Sequence, residues 1–142
     1  MTTFSVMVGT RLPAEVVFDY LSNPANRPAW QSSLATVIDV VGDGEEGSSW
    51  VDLTKVGLRA ELVVTAHQRP YRWVERGTWR GFVADLELAF DEHVDGTRIT
   101  ALVGFRAPWW LAPVPPLLGL IAPDAVRADL ARALELCSAQ QR

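Results

Sequence analysis

The chain has 142 residues, 49% hydrophobic and 21% charged, with a formal net charge of -4. That length suits one domain over 1–142, long enough to bury about 68–70% of its unfolded surface without disulfide or metal staples. The acidic balance, with no Lys/Arg cluster, argues against nucleic acid as a partner. The single cysteine, Cys137, cannot close an internal disulfide and fits a reducing, cytoplasmic setting. No leader-like start is visible, and the longest apolar stretch, 107–122, is too short and too rich in proline for an integral membrane span.

Phe4, Val6 and Val8 alternate with Ser5, Met7 and Gly9, which predicts a strand over about 2–9. In LPAEVVFDYLSNPANRPAW (12–30), Pro13 suits a first helical position and Glu15 the positive end of a helix. Val17, Phe18 and Leu21 form a short apolar stripe, and Asn23-Pro24 ends it. Residues 24–30 read as a second short helix or turn carrying Trp30.

From 33 to 106 the pattern is one of strands: about 34–41, 50–56, 59–67, 71–79, 82–90 and 97–105. Connections are short, so antiparallel neighbours are expected. The turn GDGEEG (42–47) is no phosphate loop, because Lys-Ser or Lys-Thr does not follow and its two glutamates repel phosphate. Prolines 108, 113, 115 and 116 make APWWLAPVPP (107–116) a semi-rigid loop. A helical period follows in Leu117, Leu118 and Ile121, then in Val126, Leu130, Ala133, Leu134 and Cys137. Pro123 either kinks this long helix or starts its main segment. An antiparallel sheet and one long amphipathic helix must cover each other, and a twisted sheet around a helix tends to leave a space between them.

Alternation names the residues that would line this space. In 82–90 the inward set is Phe82, Ala84, Leu86, Leu88 and Phe90; in 97–105 it is Ile99, Ala101, Val103 and Phe105. In 59–67 it is Ala60, Leu62, Val64 and Ala66, which leaves Glu61 and His67 outward. The strand YRWVERGTW sets Tyr71, Trp73, Glu75, Gly77 and Trp79 against Arg72, Val74, Arg76, Thr78 and Arg80. The aromatic face goes inward and takes Glu75 with it.

A carboxylate among aromatics is desolvated, so Glu75 is the sharpest candidate for a general acid or base, or for a ligand hydrogen bond, with Tyr71 as a weaker companion. The bland alternative is that Glu75 reaches solvent or pairs with an arginine. Trp30, Trp73 and Trp79 line a cavity or fill a solid core; Val126 and Leu130 face it from the helix. Trp109 and Trp110, with Leu111, cover its mouth, pack on the helix, touch a membrane or make a homodimer contact. His67 and His93 have no partners spaced for a triad or a metal, so no metal or cofactor is expected. Cys137 reads as core.

The order of elements and several stretches resemble the helix-grip (START-like, SRPBCC) superfamily, which includes START lipid-transfer domains, birch-pollen-allergen-like proteins and polyketide cyclase/dehydrase-like proteins. The stretch 12–30 is similar to the family's opening. Gly42, Gly44 and Gly47, Arg69-Pro70 and Asp95-Gly96-Thr97-Arg98 match its turns. The resemblance covers nearly the whole chain. It implies an α+β fold: a curved antiparallel sheet of about seven strands, two short helices after strand one, and a long C-terminal helix over a cavity. It implies binding, and transport in some members, of a small hydrophobic ligand such as a lipid or polyketide, but supplies no catalytic signature. A polyketide cyclase or dehydratase using Glu75 is the enzymatic alternative, and a protein–protein module presenting the helix or the tryptophan loop is the third.

Overall fold

The computed structural model describes residues 2–111 and 114–142, the side chains of 111–121 excepted. The elements are β1 (Thr2–Thr10), α1 (Ala14–Leu21), a 3-10 turn (Pro24–Asn26), α2 (Arg27–Trp30), β2 (Leu34–Val41), β3 (Ser49–Thr54), β4 (Arg59–Gln68), β5 (Arg72–Trp79), β6 (Phe82–His93), β7 (Gly96–Arg106), a second 3-10 turn (Trp109–Leu111) and α3 (Val114–Gln140). The strands form one antiparallel sheet in the order β1-β7-β6-β5-β4-β3-β2. This is the α+β helix-grip arrangement expected from the sequence. Neighbours in the sequence are hairpins except β1 and β2, which lie at opposite edges and are joined through α1 and α2. α3 packs against β1, α1 and α2, so it spans the same concave face.

Local chemistry explains the boundaries. Pro13 stands just before α1, and the Ala14 N–H is capped at 2.9 Å by Glu92 Oε2, from the far end of β6. The stripe Val17, Phe18 and Leu21 is buried against the sheet. The β5–β6 turn has only two residues, Arg80 and Gly81, both at positive φ (46° and 85°), the geometry that matches strand twist in tight hairpins. α3 begins earlier than the proline pattern suggested. Pro115 and Pro116 lie in its first turn, where a missing N–H breaks no helical hydrogen bond, and Pro123 lies inside the helix. The apolar face expected at Leu130, Ala133, Leu134 and Cys137 is buried. The expectations for Pro113 and for the side chains of Leu111, Leu117, Leu118 and Ile121 fall outside the described residues.

One strand departs from simple alternation. β4 pairs Val64 with Glu75, then Ala66 with Val74 and His67 with Trp73, so one extra residue is accommodated between Val64 and Ala66. The bulge shifts the alternation by one, and His67, expected outward, turns inward. Its ring meets Phe18 and Trp73 edge-on at 5.1 and 5.8 Å between centroids, and its Nδ1 lies 2.7 Å from the Gly44 carbonyl oxygen. On the convex face, Arg72 pairs with Glu87 and Arg76 with Asp85, which confirms the outward face expected of β5.

Candidate functional site

Between the sheet and α3 lies a cavity of about 360 Å³. Its apolar wall includes Ala60, Leu62, Trp79, Phe82, Ala84, Leu86, Val103 and Phe105 from the strands, Trp30 from α2, and Ala122, Val126 and Leu130 from α3. Small residues make the space: Ala60, Gly77 and Ala84 occupy inward positions on adjacent strands β4, β5 and β6. A Cβ on Gly77 would already sit 3.1 Å from Leu62 Cδ1.

At one side of the cavity two carboxylates, Asp52 and Glu75, come from β3 and β5. Those strands are two apart, with β4 between, so their backbones stand roughly 10 Å from each other. A guanidinium bridges them. Arg27 Nη1 donates to Glu75 Oε1 at 2.7 Å and Nη2 donates to Asp52 Oδ2 at 3.2 Å. All three residues are buried, with Arg27 3% exposed. Arg27 opens the single turn of α2 and Trp30 closes it, and residues three apart share a helix face. The guanidinium carbon lies 5.9 Å from the Trp30 ring centroid and 5.1 Å from that of Trp50, so the cation is held by aromatic faces as well.

Each carboxylate takes a further hydrogen bond from a tryptophan two residues before it. Trp50 Nε1 donates to Asp52 Oδ1 at 2.9 Å and Trp73 Nε1 donates to Glu75 Oε1 at 3.1 Å. The two tryptophans stack, 6.5 Å between centroids and 22° between planes. Residues i and i+2 of a strand share a face, so the pattern Trp-Val-acid, present at 50–52 and again at 73–75, builds the same pair twice. Two nitrogens are left over: Arg27 Nε and Trp30 Nε1 are buried with no hydrogen-bond partner among the described residues.

Burial works against the Arg27 cation, but Glu75 and Asp52 outweigh it and hold its pKa above the ordinary arginine value. Asp52 is pushed above the usual aspartate value, chiefly by burial and further by the charge of Glu75, with Arg27 opposing. Full ionisation leaves two buried negative charges on one positive charge. The site therefore holds a permanent cation and an aspartate whose neutral form its surroundings favour.

Of the residues singled out in the sequence, Trp30, Glu75, Trp79, Leu86, Phe105, Val126 and Leu130 line the cavity. Trp73, Leu88 and Phe90 are buried beside it, in a packed cluster with Phe18, and do not line it. Tyr71 is 65% exposed: its N–H bonds to the Gln68 carbonyl in the turn before β5, so the strand's alternation never reaches it. Trp109 and Trp110 are 87% and 49% exposed and do not line the cavity. Arg27 and Asp52 were not foreseen. The repeated Trp-Val-acid pattern was a legible signal for Asp52; Arg27 had none beyond its spacing to Trp30.

The fold has well-matched solved relatives. About half of the di-domain ARO/CYC StfQ from the steffimycin biosynthetic pathway superposes with a TM-score of 0.81 at 10% identity, covering 99% of this chain and 51% of that one. Ara h 8.0201 superposes at 0.75 with 12% identity over 96% and 97% of the two chains. A Deinococcus radiodurans protein superposes at 0.66 with 20% identity over 93% of each. Likeness at such identities establishes the fold. No curated protein matches the chain. Residues 1–140 match the family model for polyketide cyclase/dehydrase and lipid transport proteins, and the chain belongs to that family.

Proposed function

We propose that the protein binds a small, largely hydrophobic molecule in the cavity between the sheet and α3. The observation that carries this reading is the cavity itself: about 360 Å³, apolar over most of its wall, with a hydrogen-bonded charge cluster at one side. Volumes of roughly 300–1,000 Å³ with a few placed polar groups are the usual form of small-molecule sites. Burial of apolar surface, roughly 25 cal/mol per Å², supplies the attraction, reduced by the cost of association. Lipids and polyketides both fit that description, and transport is the reading in which the ligand leaves unchanged.

The test fills the space. Ala84→Phe, facing Gly77 and Phe105 across the sheet, should keep the fold by circular dichroism and reduce uptake of a neutral apolar dye such as Nile red at least about tenfold. A folded variant that takes up the dye as the parent does would remove the proposal.

A catalytic reading is favoured by one observation. Asp52 has a raised pKa and lines the cavity beside Glu75, a setting suited to acid–base steps in a cyclisation or dehydration. Under it, Asp52→Asn and Glu75→Gln abolish turnover of a reactive polyketide while the dye still binds.

A further inference from the structure

We infer that the cavity selects ligands by charge: it takes a neutral or cationic apolar molecule whose polar end donates a hydrogen bond, an alcohol, phenol or amine, and rejects carboxylates. The inference rests on the binding proposed above and goes on to name the ligand class.

Among the described residues that line the cavity, those with charge are Asp52, Glu75, Asp85 and Asp129; no lysine, arginine or histidine lines it. Asp85 turns its carboxylate to the convex face, where it pairs with Arg76 at 2.8 Å, so it adds no charge to the cavity. Arg27, the cation paired with Asp52 and Glu75, is not part of the wall. A ligand therefore approaches the negative side of the cluster, in surroundings where charges are poorly screened.

Few acceptor atoms of the cluster remain free. Both oxygens of Asp52 are engaged, by Trp50 and by Arg27. Glu75 Oε1 accepts from both Arg27 and Trp73. Glu75 Oε2 makes no hydrogen bond among the described residues, and Glu75 lines the cavity, so this oxygen is the acceptor left for a guest. Asp129 uses Oδ1 to accept from the Ser32 N–H at 3.3 Å, and it places a further carboxylate on the α3 side of the wall. An acceptor needs a donor opposite it, and a ligand carboxylate brings only acceptors and a like charge. A hydroxyl or ammonium group meets both requirements.

The experiment uses three ten-carbon chains that differ only at the end: decan-1-ol, decylamine and decanoic acid, each competing with bound Nile red at pH 8. The alcohol and the amine should displace the dye at concentrations at least about tenfold below the acid. In Glu75→Gln the acid should gain on the alcohol until the two differ by less than about threefold. If that variant does not fold, Asp129→Asn, on the α3 side of the wall, should narrow the gap in the same direction. Displacement by the acid as effective as by the alcohol in the parent protein overturns the inference and leaves the binding proposal standing. No dye uptake, or no displacement by any of the three, overturns both.

Discussion

The concave face of the sheet has two halves that obey the same alternation and end in opposite states. In one, Phe18 from α1 drives into a cluster with Trp73, Phe90 and His67, and Phe18, Trp73 and Leu88 are each no more than 1% exposed. In the other, further along the same strands toward the β5–β6 turn, Ala60, Gly77, Ala84 and Leu86 face α3 across open space. Inward-facing residues are necessary for a cavity but do not make one. What separates the halves is the volume of the strand residues and whether a helix delivers a large side chain above them. The buried charge cluster sits at the border, with Trp73 and Trp50 in the packed half and the carboxylates open to the hollow one.

The most damaging way to break this arrangement is at the border. Arg27→Met removes the cation and leaves two buried carboxylates facing each other, and should cost about 3–5 kcal/mol of stability by urea unfolding. The loss should shrink as pH falls and the carboxyls take up protons; a loss that stays the same at every pH would show that lost packing of the side chain, and not its charge, was responsible.

The two halves should also respond differently to the same kind of truncation. Phe18→Ala opens a hole in a filled region and should cost about 3–4 kcal/mol. Leu86→Ala, at a half-buried position beside space that already exists, should cost only about 1 kcal/mol. Dye binding should change with the second and not with the first. Equal costs would mean that the hollow half is packed in solution.

The smallest effect is a slope. The pKa of Asp52 is raised in the folded protein, so between the ordinary aspartate value of 3.8 and its folded value the native state binds more protons than the unfolded one, and the contribution of Asp52 to stability declines as pH rises through that window. Asp52→Asn should remove this decline, so the variant gains on the parent with rising pH. Asp19, exposed and paired with Arg69, has a lowered pKa and acts with the opposite sign in both proteins, and so cancels in the comparison. Denaturant midpoints across the acid range check the prediction; parallel curves would refute it.

Much of the fold was legible because each strand has a face. The inward sets of β6 and β7 and the aromatic face of β5 follow from a period of two, and the face of α3 from a period of 3.6. His67 was misplaced because a bulge is a property of two paired strands, and one strand's sequence does not display it. Tyr71 was misplaced because its strand starts one residue later. Trp73, Leu88 and Phe90 were correctly placed inward, but the sequence did not say that Phe18 would fill the space above them. Glu75 is legible by chemistry, as a carboxylate on an aromatic face, but which arginine pairs with it is not.

By itself, then, the sequence determined the order of elements, the antiparallel sheet, the helix over it and the inward position of Glu75, since all of these follow from local periodicity and turn chemistry. Tertiary structure alone decided that Arg27, 25 residues from Asp52 and 48 from Glu75 along the chain, would join them, and that one half of the sheet would stay open. Both depend on distances between elements remote in sequence, which are set by packing and by a guanidinium long enough to bridge strands two apart.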